Sequence, residues 1–174
     1  MVVWGGTAVF TKVATKQIDP LLVGVLRTVL GGCLALPLAL LMHQRLPAGR
    51  HERRLLALAA SAAYIGFPLI FAFGQDMTSA VHGTLIFAVL PVLTSLFGTI
   101  VERRRVSALW VFGCAIALVG TVVVILSGTH EAGDDASLFG DLLVLAASVV
   151  CAMGYVAGAR LSQRGYGAVP TTLW

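Results

Sequence analysis

The chain has 174 residues, of which 58% are hydrophobic and 11% are charged, and its mean hydropathy is +0.93. Water-soluble domains carry about 25% charged residues, so this composition excludes that class and places the chain among membrane proteins. The formal charge is +4, and the placement of the charges is more informative than their sum.

Six apolar segments follow one another, at about 2–14, 20–42, 54–74, 80–100, 107–126 and 138–159. A crossing of a hydrocarbon layer needs about 20 helical residues. The first segment is short and contains Lys12, so either the helix starts upstream or it is incomplete as given. No basic stretch and no small-x-small cleavage site follow Met1, and a cleaved signal peptide is not expected. Segment two opens at Pro20, a favourable first helical position. It places Gly24, Thr28 and Gly32 in a small-residue stripe that admits a close helix neighbour, and Pro37 is expected to kink it. Segment three carries Ala59, Ala63 and Pro68. Segment four is uncharged from Ala80 to Ile100, has Pro91 near its middle, and stops at Glu102-Arg103-Arg104-Arg105. Segment five repeats the small-residue spacing with Gly113, Ala117 and Thr121. Segment six holds Gly154 and Gly158 and ends at Arg160. The fold class is therefore all-α integral membrane, with six predicted transmembrane helices.

The connections set a topology. Nine of the twelve basic residues lie on alternate connections: Arg45, Arg50, Arg53, Arg54, Arg103, Arg104, Arg105, Arg160 and Arg164. The opposite connections hold Lys12 and Lys16 with Asp19, Asp76, Glu131, Asp134 and Asp135. Cytoplasmic loops carry the excess of Lys and Arg, so the N-terminus is expected in the cytoplasm. The arginine clusters lack interleaved aromatic residues, so nucleic acid is not an expected partner.

Polar groups inside the apolar runs are few. Arg27 is the one arginine within such a run, about 10 Å below the outer surface, and is a candidate for holding a polar substrate; its alternative role is to snorkel outward and fix packing. Lys12 lies near the outer end of segment one, where snorkelling competes with a cavity role. His82 can bind a polar ligand, carry a proton or pack as a satisfied histidine. Trp4 reads as an interface anchor, while Tyr64 and Tyr155 lie deeper, lining a cavity or packing. Pro37, Pro68 and Pro91 bend their helices, and the carbonyls they free are tolerated against other helices or a water-filled cavity. Cys33, Cys114 and Cys151 sit in apolar runs and read as small buried hydrophobes. Asp141 and Glu102 fall at segment ends, so a carboxylate relay through the core is not expected. No G-x-x-x-x-G-K-[ST], H-E-x-x-H or G-x-S-x-G occurs. Neither an enzyme nor a cofactor or metal site is expected.

The order of several elements resembles the EamA-type family of the drug/metabolite transporter superfamily. They are Trp4-Gly5 with Lys12, Pro20 with Arg27, Thr78-Ser79-Ala80, Pro91, Glu102-Arg103, Gly113 and Gly120, and Gly140-Asp141-Leu142 with Ala152, Tyr155 and Arg160. A departure is Val101, where the family usually has glycine. The resemblance implies ten helices in two inverted five-helix repeats, with a substrate cavity between them and alternating access. Residues 1–127 would form the first repeat, and 138–174 would open the second with a sixth helix and a following cytoplasmic loop. It further implies a multi-pass protein of a bacterial inner membrane that transports small metabolites such as amino acids or related compounds. Its expected partners are the lipid bilayer, a small-molecule substrate, and a second copy or a missing second repeat. The competing expectation is a non-transporting membrane subunit, or an inactive truncated fragment, assembling through its small-residue faces.

Overall fold

The computed structural model describes residues 6–44, 46–103, 105–127 and 137–174. The expected interface anchor Trp4, the topology residues Arg45 and Arg104, and the acidic residues Glu131, Asp134 and Asp135 lie outside the described residues.

Helix α1 is Thr7–Thr15 and α2 is Pro20–Leu41. Asp19 caps α2, its carboxylate accepting the Leu21 N–H at 2.8 Å, and Pro20 takes the first turn, where its missing N–H is no loss. Helix α2 continues through Pro37 to Leu41 without a break. Pro37 lies one turn from the end, so little of the helix depends on the N–H it lacks.

Helix α3 is Arg50–Ala60 and α4 is Phe67–Asp76, and a π-helical turn, Ser61–Gly66, joins them into one span. The widened turn is followed at once by Pro68. A proline offers no N–H to the carbonyl four residues back, here that of Tyr64. The Thr28 hydroxyl on α2 donates to that carbonyl at 2.5 Å, so a neighbouring helix supplies what Pro68 withholds.

Helix α5 is Ala80–Phe87 and α6 is Leu90–Glu102. They form one crossing interrupted before Pro91, with tightened bonds from Val89 N–H to Ile86 O at 3.1 Å and from Val92 N–H to Val89 O at 2.9 Å. Helix α7 is Ala108–Ser127 and α8 is Leu138–Leu161. Ser79 and Ser137 cap α5 and α8, accepting from His82 N–H and Gly140 N–H. A second π-helical turn, Ser162–Tyr166, leads to α9, Ala168–Leu173. Gly165 and Gly167, with φ of 89° and 91°, make the reversal between α8 and α9. The residues after 160, expected as a cytoplasmic loop, are therefore mostly helical. Trp174 Nε1 closes this corner by donating to the Gln44 carbonyl at 3.2 Å.

Four spans are long and apolar enough to cross a membrane: Pro20–Leu41, Arg50–Asp76, Ala80–Glu102 and Leu138–Tyr166. Two further apolar helices are α7, apolar over Ala108–Val123, and the nine-residue α1. The six expected crossings are thus matched by these four spans with α7, which is 20 residues long, and by the shorter α1. The chain is an all-α membrane protein.

Helix α8 is the axis of the bundle. Its buried face includes Val144, Ala147, Cys151 and Ala152, which pack with Phe67, Phe71 and Ile86. The rings of Phe67, Phe71 and Phe87 lie 5.1 to 5.5 Å apart. By contrast, α2 exposes Leu22, Val29, Leu34 and Leu41, a surface suited to lipid.

The small-residue stripes are used unevenly. A Cβ at Gly154 would lie 2.9 Å from Ala63, and one at Gly24 would lie 2.9 Å from Leu69. These glycines permit close helix contact, as expected. Gly32 and Gly113 have nothing within 4 Å, so their parts of the stripes touch no neighbour among the described residues. Cys151 is buried, whereas Cys33 is exposed and Cys114 partly so. Cysteines on lipid-facing surfaces look the same in sequence as buried ones.

Gly140→Ala should destabilise the fold, because the new Cβ would lie 2.6 Å from the Met77 backbone carbonyl. Overpacking of this kind costs about 1–3 kcal/mol. Gly113→Ala, in open space, should leave stability unchanged or slightly raised. Apparent melting temperatures in detergent compare the two.

Candidate functional site

Three of the five sequence candidates for a substrate cavity come together on one side of the bundle, and the other two lie in a separate cluster. The first cluster forms where α2, the π-helical turn and α8 meet. Arg27 on α2 places its guanidinium carbon 5.2 Å from the centroid of the Phe67 ring, a cation–π contact. Phe67 is itself stacked on Phe87 with ring centroids 5.5 Å apart. Arg27 is thus turned onto the aromatic cluster. Its charge reaches Tyr155 and Cys151 on α8. Those two residues are four apart on one helical face. Tyr64, from the π-helical turn, lies in the same neighbourhood. Its hydroxyl also reaches the Thr172 carbonyl, at 3.5 Å.

The local sequence explains this grouping. Pro68 and the preceding π-helical turn shift the register of the span, bringing Tyr64 and Phe67 to the face that meets Arg27. The Thr28 bond to the Tyr64 carbonyl fixes α2 against the turn one residue after Arg27. Tyr64 and Tyr155 remain 45% and 36% exposed, so the cluster has an open side. Arg27 has no carboxylate within ion-pair distance among the described residues. The arrangement presents a cation and two hydroxyls, which suits an anionic or zwitterionic small molecule.

The second cluster contains Lys12 and His82. Lys12 does not snorkel: it is 8% exposed, and its ammonium donates to the Asp76 carbonyl at 2.9 Å. A cation there complements the C-terminal end of α4. His82 is a paired histidine, its Nδ1 lying 3.2 Å from Asp141 Oδ2. The Thr78 hydroxyl donates to Asp141 Oδ1. Asp141, at a segment end in the sequence, is 1% exposed in the fold. Gln75 is also fully buried; its Nε2 donates to the Ser79 carbonyl at 3.3 Å.

Sequence reasoning did not single out Phe67 or Gln75, read Thr28 only as part of a small-residue stripe and Thr78 only as part of a family motif, and took Cys151 for a packing residue only. Two signals were present for Asp141. It follows Ser137 at capping distance and adjoins Gly140, a combination that favours a helix start held close to another backbone.

A wide, open groove lies elsewhere, lined by Val101, Glu102, Arg103, Arg160, Gln163 and Arg164. There Arg160 donates to the Val101 carbonyl at 2.5 Å and Gln163 to Glu102 at 2.9 Å. It is a charged, shallow surface and holds none of the substrate-cavity candidates.

Comparison with known proteins agrees with the membrane architecture. Residues 1–126 match the EamA-like transporter family. The chain is 33% identical over 166 residues to the uncharacterized transporter YdeK of Bacillus subtilis (strain 168), covering 94% of this chain and 55% of that protein. It is 28% identical over 169 residues to the uncharacterized inner membrane transporter YedA of Escherichia coli (strain K12), covering 92% and 51%. An uncharacterized transporter of Archaeoglobus fulgidus is 25% identical over 167 residues, covering 92% and 55%. The chain spans about half the length of these curated relatives. No solved structure matches it. With the family match running from the first apolar segment through the fifth, the chain belongs to the EamA-like transporter family.

Proposed function

We propose that this chain is part of a secondary transporter of small carboxylate-bearing metabolites, such as amino acids or related compounds, and that Arg27 holds the substrate carboxylate. The observation that carries this reading is Arg27 itself. A guanidinium at membrane depth rests on the Phe67 ring, with no carboxylate partner among the described residues. An intramembrane charge without a counter-ion is costly, and an arriving carboxylate would relieve that cost. Tyr64 and Tyr155 flank it as hydroxyl donors, and the buried Phe67 ring holds the guanidinium from beneath. In this reading residues 1–127 form one five-helix repeat and residues 138–174 open an inverted second one. The cavity lies between them and is exposed to each side in turn. The N-terminus is cytoplasmic, by the distribution of arginine. The interruption of the α5–α6 crossing before Pro91 fits this reading, since broken helices are tolerated where they border protein or a cavity.

A second reading is favoured by the glycines without near neighbours, Gly32, Gly113 and Gly120. These are surfaces for a further helix, from the rest of a transporter or from a partner in a non-transporting assembly. A partner that co-purifies, with no stabilisation by any carboxylate, would support that assembly.

Arg27→Ala in the full-length protein should lower uptake of amino acids or related carboxylates into proteoliposomes by roughly tenfold or more, the loss of one charge-assisted contact. Membrane insertion should be unchanged. Tyr155→Phe should raise the apparent KM more modestly, since it removes one neutral donor. Wild-type uptake kinetics in Arg27→Ala would overturn the assignment.

A further inference from the structure

The corner between α4 and α5 is bound to the start of α8 by close backbone contacts. Ser137 N–H donates to the Met77 carbonyl at 3.0 Å. Gly140 lets the same Met77 backbone approach to where a Cβ would sit, 2.6 Å away. That approach buries the next side chain, Asp141. Its two oxygens are taken by two different donors from the corner: Thr78 from the linker and His82 from the first turn of α5.

These two donors differ in kind. The Thr78 hydroxyl is neutral at any relevant pH. His82 can change its charge in the physiological range, and its side chain is 15% exposed against 2% for that of Asp141. A proton can therefore reach the imidazole from outside while the carboxylate stays sealed. When the imidazole is charged, the buried carboxylate has a full counter-charge 3.2 Å away. When it is neutral, Asp141 keeps hydrogen bonds but no neutralising charge, and burial of an uncompensated carboxylate is unfavourable.

Among the described residues, the surroundings leave this role to His82. On α1, the Lys12 ammonium is committed to the Asp76 carbonyl, and Lys16 is exposed. On α4, Asp76 is exposed and Gln75 is neutral. Helix α7, which packs on α5, contributes Cys114 as its sole titratable group. Gln75 Oε1 is buried with no hydrogen-bond partner among the described residues, so the cluster keeps a spare acceptor rather than a spare cation.

We propose that the His82–Asp141 pair is a proton-binding site that controls how firmly α8 is held to the α4–α5 corner. With the proton bound, the ion pair closes this end of the bundle. Loss of the proton weakens the tie and favours separation. The sign follows: closure is firm while the imidazole holds its proton and declines as rising pH removes it. In the transporter reading this end faces outward, and the pair would link a proton to one of the two access states. The site itself is separate from Arg27 and does not need a substrate.

The test places spin labels at Val81 and Leu142, both exposed, in the full-length protein with Cys33, Cys114 and Cys151 replaced by alanine. The inter-label distance is measured in nanodiscs at about pH 5.5 and about pH 8.5, on either side of the ordinary imidazole range. The distance should be short and narrow at low pH, and longer and broader at high pH. His82→Gln should give the broad distribution at both pH values. His82→Arg, a permanent cation, should restore the narrow one at both, which separates loss of charge from loss of folding. A wild-type distribution that does not change with pH, or a pH response that survives in His82→Gln, would overturn the proposal. Since no substrate is used, failure of the Arg27 assignment would leave this result unaffected.

Discussion

Polar groups at membrane depth have no water to fall back on, so each must be satisfied by the protein itself. That constraint accounts for much of this structure. Pro68 removes a donor from the Tyr64 carbonyl, and the Thr28 hydroxyl of another helix replaces it. The same bond fixes α2 against the π-helical turn and so sets where Arg27 lies. Lys12 is buried because the α4 C-terminus offers it a carbonyl. Asp141 is buried because Thr78 and His82 meet its two oxygens. In each case a local irregularity in one helix is resolved by a side chain from another, and the pairing positions both.

Helix α8 gathers these contacts. Near its start, Gly140 and Asp141 engage the α4–α5 corner. Near its end, Arg160 and Gln163 reach Val101 and Glu102 at the end of α6. Between them, Gly154 packs on Ala63, and Cys151 and Tyr155 face Arg27. One helix therefore connects the candidate substrate cluster with polar ties at both membrane boundaries. A change in either tie has a direct mechanical route to the cluster through a single rigid element. In a two-repeat transporter, α8 would be the first helix of the second repeat, and these ties would join the repeats.

The two clusters also differ in what they can exchange with the surroundings. The Arg27 cluster keeps an open side formed by two partly exposed tyrosines. The Asp141 cluster is closed apart from one edge of an imidazole. In the proposed reading the first admits a molecule and the second a proton, so that binding and closure are governed by different groups.

Much was legible before the fold was known. The lengths of the apolar runs, their lack of charge and the alternation of arginine between connections specify an all-α membrane protein, because the bilayer imposes length and solvation rules on each segment separately. Pro20 as a helix start and the break before Pro91 follow from what proline does to its own segment. Arg27 stood out because charge is rare at that depth. The remainder depended on relations between segments. Asp141 appeared to lie at a harmless segment end, and only the approach of Met77 to Gly140 buries it. Asp141 is separated from His82 by 59 residues and from Thr78 by 63. Cys33 and Cys151 occupy similar apolar stretches, yet one faces outward and the other lies in the core. Sequence determined which segments enter the membrane and which residues are costly there, since those costs are local. Tertiary structure alone decided which costs are offset and by which partner, since burial and ion pairing depend on distances that only the packed helices define.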